Sequence, residues 1–131
     1  MGFLSRLKDS FSTDLNVSEH WNHPKNLSDL DRVLGKNDKL SLIFKHSAAC
    51  GTSAFAFRGT EKILPEISGN VDFYIIEVRS QRKLSDFIAQ KTGVRHESPQ
   101  LLLLKNGEVL WHASHSAINP ESVGKHIEKF M

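Results

Sequence analysis

The chain has a single cysteine, Cys50, among its 131 residues. One cysteine excludes an internal disulfide and fits a reducing compartment. An excess of either charge is also missing, with 17 Lys and Arg against 15 Asp and Glu. That near balance offers no basic face of the kind nucleic acids need. No apolar run approaches the ~20 residues of a membrane helix. The opening Met1-Gly2-Phe3-Leu4-Ser5-Arg6 has no signal-peptide apolar region. Arg6 stands where a myristoylation signal has Ser or Thr. No repeat, low-complexity tract or linker is present. The expectation is a cytoplasmic monomer of one domain, with no nucleic-acid or membrane partner. A chain of this length buries roughly two-thirds of its unfolded surface, so it folds without disulfide or metal.

What is present is an alternation of strand and helix signals. Phe3, Leu7 and Phe11 recur at helical spacing, so residues 1–18 read as an extension with a short amphipathic helix. His20 to His23 read as a short edge strand stopped by Pro24. His20 and His23 lack further ligands at matching spacing, so no metal site is expected. Ser28 and Asp31 predict a capped helix start, Leu30, Val33 and Leu34 its apolar stripe, and Gly35 its end. Leu40 to Lys45 is a buried strand. A helix is expected from Gly51 to about Leu64, burying Phe55, Ala56, Ile63 and Leu64. Phe57 is placed at its rim, Gly59 weakens it, and Pro65 kinks or ends it. Asp72 to Val78 reads as a central strand. Ser80 caps a helix carrying Leu84, Phe87 and Ile88 and closed by Gly93. Gln100 to Lys105, Asn106-Gly107 and Glu108 to His112 form a hairpin with a type I′ turn. Asn119 caps a last helix with Pro120 in its first position and Val123, Ile127 and Phe130 facing inward. The strand–helix–strand order implies parallel pairing with a right-handed crossover. The fold class is α/β, with a mixed sheet and helices on both faces.

The chemistry gathers in Lys45-His46-Ser47-Ala48-Ala49-Cys50-Gly51-Thr52-Ser53. Cys50 sits where strand becomes helix. Unpaired amides at a helix start favour thiolate over thiol and lower a cysteine pKa. Ser53 stands where a second cysteine would complete a C-x-x-C pair. Its hydroxyl can donate to a thiolate but cannot form a disulfide with it. A one-thiol redox centre follows, set against the plainer reading of a small buried apolar residue.

This order of elements resembles the thioredoxin fold, a central mixed sheet of about four to five strands over residues 19–131. Gly93-Val94-Arg95, Pro99 and Leu101 to Val109 are similar to the thioredoxin pattern there. Within that superfamily the chain resembles the single-cysteine bacilliredoxins, the YtxJ family of the bacillithiol system. The residues carrying the resemblance are Ile43-Phe44-Lys45-His46-Ser47, Cys50, Ser53 and Ser98-Pro99-Gln100. The family often has proline directly after the cysteine, where this chain has Gly51.

The resemblance implies a thiol-disulfide oxidoreductase that removes bacillithiol, or a similar small thiol, from S-thiolated client proteins. It implies no bound cofactor; the small thiol is a co-substrate. Cys50 is the expected nucleophile and Ser53 its helper. Gly51, Thr52, Lys45, His46, Ser98 and Pro99 are the expected substrate-binding residues. The implied cis bond at Pro99 would turn the Ser98 carbonyl and nearby N–H groups toward the sulfur. Positive charge on Lys45 and His46 would lower the thiol pKa. His112 and His115 are expected at the surface and Trp111 in the core. Two rivals stay open: a glutaredoxin-like iron–sulfur cluster carrier and a non-catalytic thioredoxin-fold interaction module.

Overall fold

The computed structural model describes residues 18–67 and 69–131. The expected helix around Phe3, Leu7 and Phe11 lies outside them. Among the described residues five strands form one sheet: β1 (Trp21–Asn22), β2 (Leu40–His46), β3 (Val71–Glu77), β4 (Gln100–Lys105) and β5 (Glu108–Ser114). Their spatial order is β1-β3-β2-β4-β5. β1 and β2 run parallel to β3, while β4 is antiparallel to both β2 and β5. β2 is thus the middle strand, and β3, flanked by β1 and β2, is a central strand as expected.

Alternation along each strand divides the core in two. Leu42, Phe44, Phe73, Ile75, Leu101 and Leu103 face helices α2 (Gly51–Glu61), α3 (Leu64–Ile67) and α5 (Pro120–Phe130). Ile43, Ile76, Leu102 and Leu104 face α1 (Leu27–Leu34) and α4 (Arg82–Thr92). Both faces are covered, which is why β2 reads as a continuous apolar run rather than an alternating one.

Helix ends depart from expectation in instructive ways. α1 is capped by Asn26, whose side chain accepts the Asp29 N–H, two residues before the expected Ser28. α4 starts after Gln81 rather than on a Ser80 cap, and the Ser80 hydroxyl is turned to the Glu77 carboxylate, 3.5 Å away, instead of to the helix amides. Gly93 closes α4 in the left-handed region and Asn119 caps α5 onto Ser122, both as expected. Phe55 and Phe57 exchange places. Phe55 is 80% exposed, whereas Phe57 is fully buried, its ring 4.9 Å from Trp21 and 5.3 Å from Phe44. Gly59 belongs mid-helix because a Cβ there would come within 3.2 Å of the Pro120 ring. Asn106 and Gly107, with φ of 52° and 79°, make the type I′ turn, and a Cβ on Gly107 would meet the Leu34 carbonyl oxygen at 3.0 Å.

Candidate active site

The site is built where β2 gives way to α2. A turn from Ser47 to Cys50, closed by the Cys50 N–H on the Ser47 carbonyl, aims the chain into the helix. Cys50 is the N-cap, in extended conformation, and the Ala54 N–H donates to its carbonyl to start the ladder. No side chain closes a cap bond here. The amides of the first turn are therefore left near the sulfur. The Ser53 N–H is the main influence holding the Cys50 pKa below the ordinary thiol value. Partial burial opposes it, and the Thr52 N–H and hydroxyl reinforce it. Cys50 itself remains partly exposed. A stabilised, reachable thiolate is the form that attacks disulfides.

Ser53 contributes through its backbone, not its hydroxyl. The Oγ is buried, accepts the Ser47 N–H at 3.0 Å and lies 2.6 Å from His46 Nδ1. Among the described residues its partners are thus Ser47 and His46, where a bond to the thiolate was expected. His46 does not bring positive charge either. Burial lowers its pKa, with Glu77 pulling the other way, so the ring is neutral at neutral pH. Its Nε2 is buried with no partner among the described residues.

Lys45 is also placed away from the sulfur. Successive strand residues point to opposite faces, so His46 faces α2 while Lys45 is fully buried on the side of α4. Its ammonium donates to the Ser85 carbonyl at 3.1 Å and meets His96 Nδ1 at 3.2 Å. Neither residue can supply the charge expected beside the thiol.

Pro99 follows a cis Ser98–Pro99 bond. Lys45 pairs with Gln100 in the β2–β4 ladder, and continuing that register by one residue sets Pro99 opposite His46. Pro99 therefore borders the end of β2 from which the Cys50 turn departs. The Pro99 carbonyl accepts the His115 N–H, and Ser98 Oγ is buried with no partner among the described residues. Gly51 and Thr52 lie exposed in the first turn of α2. His112 and His115 are exposed. Trp111 is half-buried against the core and stacks on His126 at 4.3 Å.

Glu77 was not singled out by sequence. It ends β3 directly opposite His46. One carboxylate oxygen accepts the Ala48 N–H at 2.6 Å, and the other accepts those of Arg79, at 2.6 Å, and Ser80. Burial raises its pKa, but these three amides and nearby His46 outweigh that and hold it low. It ties the turn ahead of Cys50 to the loop after β3. The available signal was its position at the carboxyl end of a parallel strand, where α/β sheets place their sites.

The family model of the monothiol bacilliredoxin BrxC matches residues 23–123, which include Cys50, Ser53 and Pro99. The chain belongs to that family. Among solved structures, one described as a candidate oxidoreductase with a thioredoxin fold is 34% identical. That match covers 82% of this chain and 93% of the other, with a TM-score of 0.72. Malassezia sympodialis thioredoxin is 24% identical, covering 82% and 87% of the two chains with a TM-score of 0.66. Trypanosoma brucei brucei thioredoxin is 16% identical, covering 89% and 96% with a TM-score of 0.68. The two thioredoxins show the fold alone. Bacilliredoxin family and thioredoxin fold together mark a thiol oxidoreductase.

Proposed function

We propose that the protein exchanges thiols through Cys50 alone, removing a small thiol, bacillithiol by family, from mixed disulfides on client proteins. The Cys50 thiolate attacks the small-thiol sulfur of client–S–S–R. The client leaves as a thiolate and takes a proton from water. Cys50 retains R as a mixed disulfide. A second R–S⁻ then attacks the R sulfur, forming R–S–S–R and returning the Cys50 thiolate. Summed, client–S–S–R and one R thiol give the client thiol and R–S–S–R, so the incoming R thiol is oxidised to the disulfide level as the client sulfur is reduced. Lowered thiol pKa raises the thiolate fraction but reduces its nucleophilicity, so a moderate depression serves best.

The observation that supports this reading is Cys50 partly exposed at the start of α2, stabilised by the Ser53 and Thr52 amides, with an oxygen where a second sulfur would stand. Ser98 and Pro99 supply the neighbouring edge along which an extended client segment would lie. The test is turnover on a bacillithiolated protein with free bacillithiol as reductant. Wild type should release the client thiol and Cys50→Ser should not. Equal turnover by the two would dismiss the proposal.

A further inference from the structure

Two buried polar side chains on the face away from Cys50 reach up to one loop. Lys45 and Gln100 pair across the β2–β4 ladder and lie on the same side of the sheet, both buried. Gln100 Nε2 donates to the Arg95 carbonyl at 2.9 Å. Lys45 Nζ meets His96 Nδ1 at 3.2 Å, and Ser85 Oγ reaches the same nitrogen at 3.0 Å. Two consecutive residues of the segment between α4 and Ser98–Pro99 are thus fastened from below. The far end of that segment is the edge beside His46 and the Cys50 turn.

We propose that Lys45 and His96 are positioning residues that hold the Arg95–Ser98 loop in the shape an extended substrate chain meets, and that a second proton on His96 releases it. This rests on the reading of Cys50 as the exchanging thiol. An ammonium group has donors and no acceptor. His96 Nδ1 must therefore carry its lone pair, with the ring proton on Nε2 at the exposed edge. A second proton would have to go onto Nδ1, where it would displace the Lys45 bond and set two cations face to face. Burial and the Lys45 charge both lower the His96 pKa, Asp86 and Glu97 oppose them, and Arg82 adds to the lowering. Burial takes Lys45 itself from 10.5 to about 8, opposed by Asp86. The fastening is therefore closed at neutral pH and opens as pH falls through the depressed His96 value.

The experiment uses the full chain with a glutathione- or bacillithiol-capped peptide disulfide. Lys45→Met is expected to raise KM about tenfold with kcat nearly unchanged, the signature of a misplaced binding edge. It removes a buried ion rather than a packing side chain, so it should fold. His96→Gln keeps an acceptor for Lys45 but cannot titrate. Its KM should match wild type at neutral pH and lack the acid-side rise expected of wild type. The pH profile of Cys50 alkylation by iodoacetamide should be the same in all three proteins. A Lys45→Met KM within about twofold of wild type, or an unchanged acid limb in His96→Gln, overturns the proposal. If wild type exchanges no mixed disulfide, the function proposed above fails by itself. The fastening is then read from the His96 imidazole resonance by NMR. Its pKa should rise in Lys45→Met, and an unmoved pKa refutes the fastening.

Discussion

At the scale of single residues, the part of Ser53 that matters to the thiol is its amide. The hydroxyl is committed to Ser47 N–H and His46, both buried or nearly so. Removing it leaves the amide in place and strands two polar groups. Ser53→Ala is therefore expected to keep the Cys50 alkylation pH profile of wild type while losing about 1–3 kcal/mol in a urea melt. A profile shifted toward an ordinary thiol would show that the hydroxyl, not the backbone, stabilises the sulfur. The same reasoning explains why Lys45 and His46 read so differently in sequence and in space. Two cationic residue types next to a reactive cysteine look like an electrostatic pair. Strand alternation sends one beneath the sheet, and burial leaves the other neutral.

At the scale of elements, the junction β2–turn–α2 depends on the end of β3. Glu77 bridges the Ala48 amide and the amides of Arg79 and Ser80. Glu77→Gln keeps the shape, removes the charge and turns one of the two accepting oxygens into an NH2 donor facing an amide. It should destabilise the fold by about 2 kcal/mol and speed hydrogen exchange at Ala48. Because the folded-state pKa of Glu77 lies below its ordinary 4.5, wild type should hold its advantage above that value. The advantage should fade as pH falls through the depressed one; urea melts across that range check it. Most elements were legible in the sequence: the apolar run of β2, the Asn106-Gly107 turn, the Asn119 cap and Gly93 all carry local chemistry that tertiary packing leaves alone. The phase of α2 was not. Ala56 and Ile63, seven residues apart, leave Phe55 and Phe57 on either side of their shared face, and only Leu64, seven residues past Phe57, favours the second ring. The real helix stops at Glu61, and the deciding contacts are the aromatic rings of Trp21, Phe44 and Phe57, distant in sequence. Ser80 lost its cap role for a comparable reason, since its hydroxyl is turned to Glu77, a residue on the preceding strand. His96 carries no local signal at all; only the ladder pairing of Lys45 with Gln100 brings it over a buried ammonium.

At the scale of the molecule, the sheet order places the carboxyl ends of β2 and β3 side by side, and the cysteine turn, Glu77 and Pro99 converge there. Covering both faces with helices lets one face carry the thiol and its amides while the other carries the fastening of the neighbouring loop. With one cysteine in the whole chain, the exchange has no internal way to finish. Mixing the protein with a bacillithiolated client and no free thiol should therefore stop at one client thiol released per chain. Mass spectrometry should find a bacillithiol-sized adduct on Cys50. A client-sized adduct instead would mean that the thiolate attacks the other sulfur.

The oxygen of Ser53 also bears on how such a protein could change over time. Its niche is shaped for a small atom that both takes a hydrogen from an amide and shares one with an imidazole. Sulfur is larger and accepts hydrogen bonds poorly, so Ser53→Cys alone would crowd the ring of His46 and leave the Ser47 amide without a partner. Conversion to a two-sulfur enzyme is therefore not a single step for this lineage. The strand position behind the helix would have to change along with it.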